Sequence, residues 1–537
     1  MPKNILLVYP KIPNNTYWSF HNSLKFIGKK SSMPPLGLLT VAGMLDDYNL
    51  KLVDENVQRL KDKHLQWADM VFTSSIVVQS DSLDTVVARA KKMGKPVVAG
   101  GPYPTQFYDK IKGVDHFILG EAESGVLEQF LDDFEHGRAK RAYARFSVRT
   151  NTKGNAIDMS EFYRAKNYFV NDCDIELAEA RPEMDHSPIP KFDLLDFKAY
   201  GSMAVQFSRG CPYQCEFCSE PALFGNKTRM KSAERFVKEL SMLYDQGYKG
   251  AVFVVDDNFI GNVNKVKEVL PAIEDFQKER NYPFSFFTEA SLNLSRDEEL
   301  MRSMNKAGFN MVFVGIESTD EEALRCASKN INVGADLLGS VRKIQKNGME
   351  VTAGIIVGLD KEPEGICDKI FAFCQNAGIP TAMAGLLTPV LGSELYERLK
   401  REKRLIEARI KGNNTHNFDL DYVPDRGRDP SKIISSYKDL LAKLYDRNGK
   451  NYFERCRQFL DNIVPSDNFV RKVTLTEIVA LTRSIVQQGF SSHGPSYFRF
   501  LWYALRKKRK AFPEAVRLAI TGHHLMKITK EALKNAV

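Results

Sequence analysis

The pattern of apolar and polar positions changes character twice along the chain. Over the first 135 residues, short apolar runs alternate with stretches of helical spacing. NILLVYP (4–10) reads as a buried strand, and PLGLLTVAGMLDD (35–47) as a helix behind two prolines. LKLVDEN (50–56) is a strand, and WADMVFTSS (67–75) a strand entered from a helix. DSLDTVVARAKKMG (81–94) is an amphipathic helix ending in glycine. KPVVAGGPYPT (95–105) runs from strand into a glycine–proline loop, and VDHFILGEAE (114–123) is a last strand and turn. This alternation predicts a parallel sheet with helices on both faces, a flavodoxin-like (Rossmann-type) domain over residues 1–138. Such sheets bind ligands at the carboxyl ends of their strands, here the loops at Thr73–Ser75, Gly100–Thr105 and Gly120–Glu123. No G-x-G-x-x-G follows the first strand, which disfavours a dinucleotide. The pattern alone equally suits a structural domain without a ligand.

Residues 139–198 are polar and irregular in pattern and read as a linker, with Cys173 isolated in it. Alternation resumes at Met203, with strands at 203–208, 250–257, 284–291, 310–318, 351–358 and 381–388. Helical segments such as 232–247 and 297–308 separate them. Six β/α units in series over 199–390 predict an α/β partial barrel, whose working residues come from the loops after the strands. The remainder, 391–537, is mainly helical in pattern, ending in a stretch read as a helix over 496–512.

Composition excludes several classes. Eight cysteines in 537 residues do not make a disulfide scaffold. The N-terminus lacks the long apolar region of a signal peptide, and no run reaches the length of a membrane span, so a cytoplasmic protein is expected. From His493 onward there are ten Lys or Arg against two Glu, nearly all of the net charge of +9. The basicity therefore belongs to a tail. There SYFRFLWYALRKKRKAF joins aromatics to five consecutive cations, Arg506 to Lys510. This suits the inner face of an anionic membrane. A solvated helix end is the plain alternative, and nucleic acid ranks below both.

The chemistry is concentrated in FSRGCPYQCEFCSE (207–220), the loop after the first barrel strand. Cys211, Cys215 and Cys218 are spaced C-x3-C-x2-C. A structural zinc site takes four ligands, and neither a His nor a fourth Cys occurs between Gly201 and Leu324. A disulfide would strand one thiol. A 4Fe–4S cluster held by three thiolates keeps one iron open to a chelating molecule. Cys326, Cys367, Cys374 and Cys456 fall on helical segments and read as buried apolar residues.

The cysteine spacing, with an aromatic before the third, resembles the radical S-adenosylmethionine (radical SAM) superfamily. The resemblance implies a (β/α)6 partial barrel and a 4Fe–4S cluster on Cys211, Cys215 and Cys218 that cleaves S-adenosylmethionine. It also implies Phe217 beside the adenine. Asp256, Asp257 and Asn258 stand where the family places polar groups near the methionine amine, although its glycine-glycine-glutamate form is absent. Glu289 and Glu317 fall where carboxylates hold the ribose, and helix capping is the bland reading of both. Gly354 and Gly358 frame the strand that backs the adenine.

A flavodoxin-like domain before the barrel resembles the cobalamin-binding branch of that superfamily over residues 3 to about 420. PPLGLLTVAGML, VDENV, GGPYPT and GEAE occur in its order. The Asp-x-His-x-x-Gly motif that supplies a lower cobalt ligand elsewhere is missing, His116 being the only histidine near the strand ends. Thr73, Ser74, Ser75, Gly100, Gly101, Pro102, Tyr103 and Glu121 become candidate corrinoid contacts. LLTPVLGSELYERLKREKRL and GNNTHNF resemble the C-terminal domain of hopanoid methylases, which suggests a lipid or isoprenoid-type substrate. The expected function is cobalamin-dependent C-methylation of an unactivated carbon of a lipid or other small molecule. Its electrons would come from an external donor such as flavodoxin or ferredoxin. Cyclisation, rearrangement or carbon–carbon coupling is the alternative outcome. An RNA-modifying relative ranks lower, because its different first domain carries three more cysteines. A non-catalytic iron–sulfur sensor would not cleave S-adenosylmethionine.

Overall fold

The computed structural model describes residues 3–147, 149–150, 156–157, 173–178, 181–406, 416–464 and 475–535. Two parallel sheets organise it. The first contains β1 (Asn4–Tyr9), β2 (Asn49–Asp54), β3 (Met70–Ser74), β4 (Val97–Gly100), β5 (His116–Leu119), β6 (Ala142–Ser147) and β7 (Cys173–Ala178). Its order is β2-β1-β3-β4-β5-β6-β7, all parallel. The first five strands follow the flavodoxin-like order, which reverses between β1 and β3. Helices α1 (Leu36–Ala42), α2 (Ser80–Lys92) and α3 (Val126–Glu135) cover the sheet. β1 is a continuous apolar run because both its faces are buried: Ile5 and Leu7 point to one core, Leu6 and Val8 to the other.

Two expectations change here. The segment 139–198, read as a linker, supplies β6 and β7, and so extends the sheet. β6 is paired on both sides and buries Ala142, Tyr143 and Ala144, but it carries no long apolar run to mark it, and β7 pairs at the edge. Residues 151–155 and 158–172 of that segment lie outside the described residues, as do 412–415 of GNNTHNF. The helix expected at 35–47 stops at Ala42. A side chain on Gly43 would meet the Ile189 carbonyl at 2.6 Å, so the chain passes close there.

The second sheet contains β8 (Met203–Val205), β9 (Gly250–Val254), β10 (Phe284–Glu289), β11 (Phe309–Glu317), β12 (Glu350–Val357) and β13 (Ala382–Leu386). They pair in chain order, all parallel. Helices α4 (Ala233–Asp245), α5 (Val263–Glu279), α6 (Glu298–Ala307), α7 (Leu337–Lys346) and α8 (Ile366–Ala377) pack outside. The signals that set them are local. Asp297 accepts the Leu300 N–H to start α6, two glutamates fill its first turn, and Gly308 at φ +102 ends it.

The barrel stays open between β8 and β13. The free edge of β13 is capped by tyrosines: Tyr17 and Tyr437 donate to the Ala384 carbonyl at 3.1 and 2.9 Å, and Tyr445 bonds both backbone groups of Ala382. Tyr437 and Tyr445 come from the last, helical domain. That domain includes α9 (Pro430–Leu444), α10 (Lys450–Asn462), α11 (Leu475–Gly489), α12 (Gly494–Lys507) and α13 (Phe512–Asn535). The helix expected over 496–512 breaks at Lys508 (φ −136°), so the basic run straddles the break. No described helix is long and apolar enough to cross a membrane.

Candidate functional site

The cysteine loop is held at its neck. After β8 the chain leaves the sheet because Asp256, just past β9, accepts from the Phe207 N–H at 2.8 Å and the Ser208 hydroxyl at 2.6 Å. This is why the first barrel strand ends at Val205 rather than 208. Ser208–Arg209 then pairs antiparallel with Arg229–Met230. Gly210 sits at φ +88, where a side chain would meet the Lys227 carbonyl at 2.8 Å, and its N–H donates to Asp257 at 3.0 Å. The Cys211 N–H donates to the Gly225 carbonyl and the Cys218 N–H to the Cys215 carbonyl. Glu216 pins the middle of the loop. Its N–H donates to the Ala327 carbonyl, and its carboxylate accepts from Nη2 and Nε of Arg398 at 2.7 and 2.9 Å. Phe217 packs at the edge of an apolar cluster that includes Leu359 and Leu387.

Burial pushes all three thiols up, Cys211 to about 11, and the neighbouring Cys and acidic groups push the same way. Thiolates here need cationic partners. Among the described residues no three His, Cys, Asp or Glu side chains surround a single-ion position. The donor set, three thiols standing apart on one restrained loop, fits a multi-iron cluster.

Carboxylates crowd the strand ends beside this loop. Asp257, Glu289 and Glu317 follow β9, β10 and β11, and Glu220 approaches from the cysteine loop to hydrogen-bond Asp257. Burial, then repulsion from neighbouring acids, raises two of them: Glu289 to about 8, with Asp257 and Glu317 as the charges responsible, and Glu220 well above the usual range, with Asp257 and Glu289 responsible. Asp257 is raised to about 6. Lys329 pairs with Glu317 at 3.1 Å, and although burial opposes its charge, Glu317 and Cys215 hold it protonated. Glu317 itself stands at φ +64, a strained position for a side-chain-bearing residue. The pocket has more buried carboxylate than cation, which suits a ligand carrying an ammonium and a sulfonium.

The other expected contacts divide. Asp256 is occupied with the loop neck, and Asn258 with Ser291, by bonds of 3.1 Å in both directions. Gly354 lacks a side chain because the Phe313 ring fills that space, 2.9 Å from where a Cβ would stand. Gly358, at φ +100, packs under the Tyr422 hydroxyl.

The first sheet points its carboxyl edge at this loop. The ends of three of its strands touch the barrel. Trp18, beyond β1, lies over Phe253 and Phe313 at 6.1 and 5.7 Å. Asp54, at the end of β2, accepts from Tyr200 at 3.0 Å. Glu121, beyond β5, is enclosed by Arg181, Arg209 and Arg229 at 2.9–3.1 Å. Arg209 also bonds Glu123 at 2.7 Å, holding it down to about 2 against the effect of burial. Glu121 therefore faces the barrel's arginines. At the end of β3, Thr73 and Ser75 are buried and their hydroxyl oxygens have no hydrogen-bond partner. Gly101, at φ +91 after β4, packs tightly against Ser74 and Ser75, whose atoms fill the space where a Cβ would stand. Gly100 backs onto the Ile118 carbonyl, Pro102 opens a short helix, and Tyr103 packs in the core against Phe107. Unpaired buried hydroxyls at a strand end, beside a glycine that lets the backbone pass close, fit the polar periphery of a corrinoid.

Inside the barrel, Val252 and Val254 pack outward against α5 while Phe253 alternates inward, stacked on Phe287 at 4.7 Å. Phe253, Phe287, Phe313 and Trp18 make an aromatic wall under the carboxylates. Pattern reading missed Arg209, Glu216, Glu220, Lys329, Arg398 and Trp18, the last three being brought in from distant sequence positions. Arg209, Glu216 and Glu220 carried a signal, by lying inside the cysteine stretch 207–220.

Residues 205–374 match the radical SAM superfamily, and residues 393–536 match a domain of unknown function (DUF4070). The chain is 37% identical to an uncharacterized methyltransferase of Synechocystis sp. over 97% of its length and 91% of that protein. It is 29% identical to the hopanoid C-2 methylase of Rhodopseudomonas palustris over 99% of its length and 94% of that protein. Among solved structures it resembles the radical S-adenosylmethionine methyltransferase TsrM from Kitasatospora setae, at a TM-score of 0.58, 13% identity and full coverage of both chains. With three cysteines on the loop after the first barrel strand, and relatives of this kind along its whole length, the chain belongs to the radical SAM superfamily, among its methyltransferases.

Proposed function

We propose that this methyltransferase is cobalamin-dependent and methylates an unactivated carbon of a lipid or isoprenoid-type molecule. The observation that carries the reading is the apposition of two parallel sheets, carboxyl edge to carboxyl edge, with the cysteine loop on one and the unpaired Thr73 and Ser75 hydroxyls on the other. Cofactors bound at the two edges would share one space between the domains. When bound, the 4Fe–4S cluster with S-adenosylmethionine supplies hydrogen-atom abstraction, and the corrinoid supplies the methyl group.

The chain's own residues do the positioning. Cys211, Cys215 and Cys218 hold the cluster. Asp257, Glu289 and Glu317 offer charge to the ammonium and hydroxyls of S-adenosylmethionine, and the apolar cluster at Phe217 takes the adenine. Glu220 and Asp257 keep one proton between them until a cation displaces it. Thr73 Oγ1, Ser75 Oγ and the backbone at Gly101 receive the corrinoid. Trp18 and the phenylalanine wall exclude water and accept an apolar substrate, in keeping with the hopanoid C-2 methylase relative. Electrons come from an external flavodoxin- or ferredoxin-type donor. A cavity of about 280 Å³ beside Tyr213, Gln214 and Cys215 reaches the loop from outside.

The test is cobalamin and iron content after anaerobic preparation with cobalamin supplied. We expect near-stoichiometric corrinoid with about four irons per chain. The pair Thr73→Val and Ser75→Ala should lower corrinoid about tenfold and leave iron unchanged. Iron without corrinoid in the unaltered protein would sink the cobalamin mechanism.

A further inference from the structure

The outer face of the last domain carries an apolar surface that the chemistry above does not use. α11 presents Leu475, Ile478, Val479, Ile485 and Val486 to solvent, Val486 at 60% exposure. Their three- and four-residue spacing puts them on one face. The opposite face packs inward, with the Ser484 and Tyr497 hydroxyls bonded at 3.0 Å. A side chain on Gly489 would meet the Phe498 ring at 2.8 Å, so the exposed stripe of α12 (Phe498, Trp502, Leu505) abuts the end of the first. Phe490 stands at the corner, 92% exposed. A groove of about 470 Å³ runs along α12 from Phe498 to Phe512. Surfaces of this kind mark an interaction site.

Charge selects the occupant. From Gly494 to Lys510 there are six Lys or Arg and no Asp or Glu. Arg506 lies 4.7 Å over the Trp502 ring. A second copy of the chain would bring the same cations against themselves, and protein interfaces are depleted in lysine. An anionic headgroup layer accepts aromatics and cations together on helices lying in its plane.

The surface also connects to the barrel mouth. The turn Lys25–Ile27 packs on α11. Phe26 contacts Ala480 and Ile520, and Arg483 donates to the Lys25 and Phe26 carbonyls at 3.3 Å. This turn continues the segment whose Trp18 covers the mouth.

We infer that α11 and α12 form an in-plane docking surface for an anionic lipid bilayer, which holds the barrel mouth at the membrane face. Only the benefit to substrate supply rests on the lipid reading; the docking itself does not.

The experiment is flotation of the full chain with vesicles of phosphatidylglycerol and phosphatidylcholine in equal parts, and with phosphatidylcholine alone. We expect flotation with the mixed vesicles, weakened about tenfold by neutral lipid or by raised salt. The double variant Val486→Glu, Phe498→Glu should weaken it about tenfold and keep S-adenosylmethionine cleavage in solution unchanged, which shows that it folds. Arg506→Gln with Lys507→Gln should remove the salt dependence. Flotation with neither vesicle, or unaltered flotation of the first variant, overturns the inference. So does a dimer, read by light scattering, that the first variant splits without any vesicle binding. A chain that floats yet takes up no corrinoid would sink the proposed chemistry and leave this surface standing.

Discussion

Glu289 shows how one side chain's surroundings translate into a measurable slope. Burial, then Asp257 and Glu317, push its carboxyl up to about 8. From the ordinary carboxylate range, near 4.3, up to that value the folded chain holds a proton that the unfolded chain has lost. Stability contributed by this group therefore falls as pH rises through that window. In protein prepared without cofactors, we expect Glu289→Gln to flatten the fall in thermal midpoint between about pH 5 and pH 8.5. Identical slopes would show that another group titrates there. Gly101 poses a backbone question instead. At φ +91 and ψ −179 it occupies a region that glycine alone adopts readily. Gly101→Ala should cost about 2 kcal/mol in thermal unfolding and lower corrinoid content without touching the iron content.

At the scale of elements, the strand ends communicate through arginine. Arg209 sits two residues before Cys211 and reaches Glu121 and Glu123 on the loop after β5, with its side chain 11% exposed. Removing it leaves the buried Glu123 without its cation, while Arg181 and Arg229 still hold Glu121. Arg209→Ala should cost about 3 kcal/mol and lower corrinoid and iron together, and Lys should rescue poorly because it cannot make the forked bond. The β13 edge gives a second case. Tyr17 and Tyr437 share the Ala384 carbonyl, so losing one hydroxyl leaves the acceptor served. Each single Phe substitution should cost about 1 kcal/mol, and the double substitution more than the sum, as read in a denaturation cycle.

At the scale of the whole molecule, function depends on a surface that neither domain makes alone. Trp18 belongs to the first domain by sequence and to the barrel by contact, stacked on Phe253. Trp18→Ala should leave cluster content and slow background cleavage of S-adenosylmethionine intact while raising the substrate KM about tenfold, because a large apolar contact is lost only from the substrate side. Unchanged KM would place the substrate elsewhere. The helical domain completes the same enclosure through Tyr437 and Tyr445, which explains why a barrel of six strands tolerates an open edge.

The sequence by itself determined the two parallel-sheet domains, because period and length of apolar runs are local properties. It determined the three thiols, because their spacing lies within one loop. It also placed the strand-end acids Asp257, Glu289 and Glu317, since a carboxylate just past a barrel strand is legible from the strand alone. It did not reveal β6 and β7, because β6 buries only the short run Ala142–Ala144 and β7 pairs at the edge. The partners of the site also needed the tertiary structure. Arg398 reaches Glu216 across 182 residues, and Arg209 reaches Glu121 across 88. The occupied roles of Asp256, Asn258 and Gly354 likewise appear only when their neighbours are in place. A side chain's chemistry is written in its own residue type, but whether it is free to meet a ligand is decided by charges and packing that arrive from elsewhere in the chain.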